Sequence, residues 1–226
     1  MKALALLLVL ATAACALGDR IETGWHWGNW TVETGEELFW GSKHTSYPAM
    51  YLFDDDPKTA WVFSGLMQQD VERHGWGTPE DRASIRQQIA EEEKSLGSRF
   101  WITIRTESPV TLDGVEIMNG YNKSEEVFRK NRRVTGFQIW LGDHWQDPES
   151  KQKPHKTGKL PDAMGWHRIN FPRLKLQASD SITIRLTDFT GQDSLDVALS
   201  GLRLLKKGKP IVFHTPEIVD FTTGAD

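Results

Sequence analysis

Residues 100–105 read FWITIR, in which Phe100, Ile102 and Ile104 alternate with Trp101, Thr103 and Arg105. A period of two sends successive side chains to opposite faces of a pleated strand, one buried and one solvated. The same period returns along the chain. Val115 and Ile117 form a second run, and Phe137, Ile139 and Leu141 a third. Ile182, Ile184 and Leu186 alternate with Thr183, Arg185 and Thr187, and Val197 and Leu199 open a last run that ends in Leu202 and Leu204. Turn formers separate these runs at Ser108-Pro109, Asp113-Gly114, Gly142-Asp143 and Gly191-Gln192-Asp193. Many half-buried strands with few long helices predict an all-β chain folded as two packed antiparallel sheets.

One segment departs from the alternation. Thr78-Pro79-Glu80-Asp81 reads as an N-cap, a proline at the first helical position and acids in the first turn. Thr78 and Asp81 have capping-box spacing. The helix is expected over 79–94, stopping near Gly97. Its apolar stripe is thin, Ile85, Ile89 and Leu96, which places it on the surface. A second, short helix is expected over Ser124–Lys130, with Ser124 as cap and Val127 and Phe128 turned inward.

Composition narrows the function. Net charge is -4 with both signs interspersed, so no basic field predicts nucleic-acid binding. Charged residues make up 26% and hydrophobic ones 38%, as in a folded soluble domain rather than a disordered chain. Ten tryptophans suit both a core and a flat binding surface. Trp76, Trp145 and Trp166 lie among polar and turn residues, so an exposed stacking platform is sought among them.

The first sixteen residues have the pattern of an export signal. Met1-Lys2 is a short positive start, Ala3 to Leu10 is apolar, and Ala11 to Ala16 are mostly small. The run is too short to span a membrane comfortably. Two cleavages fit: after Ala16 at an A-x-A site, or before Cys15 at a lipobox, which would make Cys15 a lipidated first residue, although Thr12 stands where a lipobox has Leu. The expected organisation is a signal over 1–16, one sandwich domain over 17–205 and a tail over 206–226. That tail, after the linker-like Lys206-Lys207-Gly208-Lys209-Pro210, is read as either an extra strand or disordered. The expected location is secreted or in the cell envelope, lipid-anchored in the second case, with no transmembrane span. Cys15 is the only cysteine, so the mature chain has no internal disulfide and no thiolate zinc site.

Two strings carry a family resemblance. YPAMYLFDDDPKTAW, residues 47–61, resembles the acidic-turn segment of discoidin-like (factor V/VIII type C, galactose-binding-like) domains. VEIMNGYNKSEEVFRKNRRV, residues 115–134, resembles the discoidin-like domain attached to bacterial NAD glycohydrolases as their translocation or glycan-binding domain. DVALSGL, residues 196–202, resembles the last strands. The resemblance covers roughly residues 36–205. It implies a jelly-roll β-sandwich carrying one inserted surface helix, and binding of carbohydrate or a cell surface. It implies no NADase activity, which belongs to a separate domain. Fold likeness alone is a weak warrant for function.

Three departures matter. The family's glycine in the acidic turn is Asp55, and the acid near the C-terminal strand is Gly201. In many relatives that acid and the turn oxygens hold a structural calcium, so calcium at Asp54, Asp56 and Thr59 is doubtful here. The third departure is the longer segment Leu66 to Ser98, which carries the helix.

Catalytic motifs are absent: no G-x-S-x-G, no H-E-x-x-H, no complete G-x-G-x-x-G and no P-loop. A non-catalytic module is therefore expected. The candidate ligand-binding residues are Asn119, Tyr121, Asn131 and Arg132, where an aromatic face can meet a pyranose ring while amide and guanidinium groups meet hydroxyls or a carboxylate. The alternative is that these residues cap the short helix and brace the loop. Two functions stand: a module binding a glycan on a cell or envelope surface, or a structural or protein-interaction scaffold. An exposed Trp or Tyr beside Arg and Asn favours the first, and a broad apolar patch favours the second.

Overall fold

The computed structural model describes residues 25–34, 38–40, 45–64, 77–96, 100–142, 152–191 and 196–213. The expected export signal with Cys15, the side chains of Trp76 and Trp145, and the chain beyond Phe213 lie outside the described residues.

The elements in chain order are β1 (Trp25–Trp27), β2 (Trp30–Thr34), β3 (Leu38–Trp40), β4 (Thr45–Tyr47), a 3-10 turn (Ala49–Leu52), β5 (Trp61–Ser64), α1 (Pro79–Leu96), β6 (Trp101–Thr106), β7 (Val110–Asn119), α2 (Glu125–Lys130), β8 (Arg133–Leu141), β9 (Lys156–Lys159), β10 (Trp166–Leu176), β11 (Ser181–Thr190), β12 (Asp196–Lys206) and β13 (Lys209–Pro210). A six-stranded sheet runs β1-β2-β6-β11-β8-β9, and a five-stranded sheet runs β10-β7-β12-β13 with β5 also on β12. Each of these pairings is antiparallel. The chain is an all-β jelly-roll sandwich, with β3 and β4 as a separate hairpin.

The periodic residues build its interior. Ile102, Ile104, Ile139, Ile182 and Ile184 line the inner face of the six-stranded sheet, opposite Val115, Ile117, Leu202 and Leu204 of the other. Burying each such side chain is worth about 1.5–3 kcal/mol. Aromatic rings tie the β5 edge to this core: Trp61 lies 4.4 Å from Phe63, Phe63 4.8 Å from Phe100, and Phe100 5.1 Å from Phe189. The alternation also predicts a solvated face, and here the structure differs. Thr103 and Thr183, opposite each other on β6 and β11, are buried. Their hydroxyls lie 2.8 Å apart, and Thr183 Oγ1 donates to the Gly142 carbonyl at 2.9 Å. A chain of hydroxyl donations satisfies polar atoms that burial would otherwise penalise.

Both helices form where expected. At the start of α1, the Asp81 N–H donates to Thr78 Oγ1 at 3.2 Å and the Thr78 N–H to Asp81 Oδ2 at 2.8 Å, a reciprocal capping box. These bonds hold the Asp81 carboxyl below its ordinary range. At α2, Ser124 Oγ accepts the Val127 N–H at 3.2 Å, and Phe128 is buried.

The strands continue past residue 205, the expected end of the sandwich domain. Lys206 and Lys209 pair across a two-residue turn in which Lys207 has φ 53° and Gly208 φ 69°. Two central residues with positive φ make the tight hairpin turn whose twist matches that of the strands, so the linker-like segment is a hairpin. The Ile211 N–H then donates to the Leu204 carbonyl at 2.8 Å. The Phe213 ring packs 4.5 Å from Phe53 and 5.6 Å from Trp30, so the sandwich continues to Phe213. Among the described residues, no helix is long and apolar enough to cross a membrane.

Candidate functional site

The string over 115–134 runs from the end of β7, through a loop and α2, into β8. It brings the four predicted ligand residues to one end of the sandwich. The backbone of Ala198 links them, accepting the Gly120 N–H at 3.1 Å and donating to the Arg132 carbonyl at 3.3 Å. The 120–122 and 131–132 segments thus lie side by side against β12.

Their roles diverge. Asn119 is fully buried, and its amide donates to the Val134 carbonyl at 2.7 Å while its oxygen accepts the Val134 N–H at 2.9 Å. It splices the loop to β8 as a backbone group would. Arg132 is 4% exposed, and its N–H donates to the Asp196 carbonyl at 2.9 Å. Both residues sit inside the fold: the Asn119 side chain bonds the β8 backbone, and Arg132 is tied to β12 through its own backbone. Asn131 is half-buried and donates its amide to the Val127 carbonyl at 3.0 Å, closing the end of α2. Tyr121 is also half-buried. Its hydroxyl donates to the Lys58 carbonyl at 3.0 Å, and its ring meets Tyr47 edge-on at 6.4 Å over Ala60, Val62 and Ala198. Burial pushes the phenol above its ordinary range, helped by Tyr47, Tyr51 and Asp56.

Three residues that the sequence reading did not single out hold this end together. Asn122 is buried; its amide donates to the Asn119 carbonyl at 2.6 Å and its oxygen accepts the Gly165 N–H at 2.7 Å. Arg133 makes a two-pronged pair with Asp162, Nε to Oδ1 at 2.6 Å and Nη2 to Oδ2 at 3.0 Å. Its Nη1 donates to the Asn131 carbonyl at 2.8 Å and to the Arg129 carbonyl at 3.2 Å, a cation at the end of α2. The hydrogen bond from Arg133 is the main reason the Asp162 carboxyl lies below its usual range. Glu116 accepts Arg168 Nη2 at 2.7 Å and stands 3.5 Å from Arg203 Nη1, one row of charges across three strands. The available signal was the alternation itself, which puts Glu116 on the face opposite Val115 and Ile117.

The acidic turn over 54–59 is strapped to the outside of the five-stranded sheet. Asp54 Oδ1 accepts the Asp56 N–H at 2.9 Å, and Asp56 Oδ1 accepts the Lys58 N–H at 2.9 Å. The Thr59 hydroxyl lies 2.7 Å from Asp54 Oδ2. Asp55 takes φ 59° in place of the family's glycine, a conformation aspartate tolerates, and accepts Arg203 Nε at 2.8 Å. The Arg203 guanidinium also covers the Trp166 ring, 3.8 Å from its centroid. That ring extends over Gly201, where an added Cβ would come 2.5 Å from the indole. A carboxylate at 201 would therefore displace Trp166, whose half-buried ring has Arg203 over one face. The turn oxygens accept the turn's own N–H groups and the Thr59 hydroxyl, and Arg203 places a fixed cation beside them, so the set fits a calcium ion poorly. Among the described residues there is no group of three or more His, Cys, Asp or Glu side chains able to hold a metal.

No protein-family model and no curated protein matches the chain. Several solved structures resemble it. The family 32 carbohydrate-binding module (CBM32) of AlyQ, solved with 4,5-unsaturated mannuronic acid, is 15% identical, with 81% of this chain and 98% of that one covered at a TM-score of 0.43. The family 32 module of C. perfringens NanJ, solved with galactose, is 12% identical, with 77% and 92% covered at 0.45. The family 32 module of Streptococcus pneumoniae EndoD is 11% identical, with 78% and 96% covered at 0.46.

Proposed function

We propose that this protein is a non-catalytic module that binds carbohydrate at an exported or envelope surface, with Tyr121 as the ring face of the site and Asn131 beside it. Asn119 and Arg132 serve that site by bracing the loop. The observation that carries the reading is Tyr121 itself: a half-exposed aromatic whose hydroxyl and ring are both fixed, on a loop pinned by Asn119, Asn122 and Arg133. A fixed aromatic loses little freedom when it meets a pyranose face. The nearer kinship to the NADase-linked glycan-binding domain, the export signal with its choice of cleavage, and lipidation at Cys15 belong to the same proposal.

Tyr121→Ala is expected to weaken glycan binding tenfold or more, on the order of 1.4 kcal/mol. Calorimetric titration alongside a melting curve checks this. A fall in melting temperature, with residual binding in proportion to folded protein, would make Tyr121 a brace like its neighbours.

Calcium should contribute little. A cation that binds only the folded state raises the melting temperature with its concentration. Between EDTA and millimolar calcium we expect a shift of no more than about 1 °C. A large rise would restore Asp54, Asp56 and Thr59 as ion ligands.

A further inference from the structure

At the far end of the five-stranded sheet, where β7 begins, β10 ends and the β12–β13 hairpin turns, lies a recess of about 340 Å³. Arg173, Lys175, Lys206 and Lys207 line it, all exposed, with Thr111 and Gln177 as polar neighbours. The one acid on its wall, Asp113, accepts the Gly208 N–H through both oxygens at 3.0 Å. None of the four cations has a hydrogen bond or ion pair with another described residue. By contrast, Arg133, Lys159, Arg168 and Arg203 each have a carboxylate partner.

Four unpartnered like charges around one concavity repel one another, and an anion relieves that repulsion. The frame under them is fixed. Lys175 lies opposite Thr111 in the β10–β7 pairing, and the Asp113 bond to Gly208 holds the turn that carries Lys206 and Lys207. The volume lies in the range of small-ligand sites. We propose that this recess binds an anionic group, carboxylate or sulfate, carried by an acidic glycan. Three observations favour a glycan over nucleic acid. The chain as a whole carries -4, so a long polyanion meets repulsion outside the recess. Among the described residues, no aromatic side chain lines the recess to stack a base. Thr111 and Gln177 offer hydrogen bonds to hydroxyls. The recess is separate from the Tyr121 loop, which leaves β7 at its other end, nine residues or about 30 Å away.

The test uses the purified full chain at low salt, with a sulfated hexasaccharide of heparin type and an unsulfated uronate hexamer as probes. Binding of either, weakened tenfold or more by Lys175→Ala combined with Lys206→Ala at unchanged melting temperature, is the expected result. The Arg173→Gln variant should weaken it in the same direction. Lys123→Ala combined with Lys130→Ala, in the loop and helix at the other end of β7, should leave it within twofold. Absence of binding by both probes, equal loss in the two lysine pairs, or a 20-base-pair DNA duplex binding as tightly as the hexamers would overturn the proposal.

Discussion

Replacing Gly120 by alanine is expected to lower stability by about 3 kcal/mol, the largest loss we foresee for adding one methyl group to this chain. Two costs add. Gly120 has φ +73°, a conformation that costs an L residue roughly 1–2 kcal/mol. The new Cβ would also stand 2.6 Å from the Phe128 ring and 2.8 Å from Arg133 Cγ, both buried residues, and overpacking of that kind costs about 1–3 kcal/mol. In a domain of this size the melting temperature should fall by about 6–12 °C. Gly28 supplies the control: its φ is +58°, but an added Cβ meets nothing within 4 Å. Gly28→Ala should therefore cost only about 1 kcal/mol. Urea unfolding of both variants reads the difference directly. Equal losses would mean that Phe128 yields freely and that the close packing under the loop contributes nothing.

Asn119→Ala should be nearly as damaging, again about 3 kcal/mol. The substitution removes one side chain but orphans two backbone groups, the N–H and the carbonyl of Val134, which is 0% exposed. A buried polar group left without a partner costs about 1–3 kcal/mol, and no ladder bond is at hand to replace these two. The loss should appear as a lower urea midpoint with an unchanged slope. A cost under about 0.5 kcal/mol, the ordinary size for a surface substitution, would contradict the bracing role and reopen Asn119 as a ligand contact.

Much of the architecture was legible because it rests on local rules. Period-two alternation located β6, β7, β8, β11 and β12, and cap chemistry placed both helices. What was not legible depends on residues far apart in sequence. Trp166 reads as a loop tryptophan until β10 and β12 are both bound to β7, which sets it beside Gly201 and Arg203. Lys207 reads as part of a linker because nothing local announces that a lysine takes positive φ there; Asp113, nearly a hundred positions away, holds the turn. Arg132 and Arg133 are adjacent and chemically alike. Only the strand register decides that Arg133 reaches Asp162, while Arg132 turns into the seam beside β12. In the candidate site, residue type singled out a loop and its aromatic, but not which polar side chains that loop's own backbone consumes.

The most direct test of the proposed function is a glycan array probed with the purified protein, scored against the same protein carrying Tyr121→Ala at matched folded concentration. The account predicts discrete, dose-dependent binding by the wild type to a subset of glycans, lost for neutral sugars in the variant. An array on which folded wild-type protein binds no glycan would contradict the carbohydrate-binding reading and leave the sandwich as a scaffold.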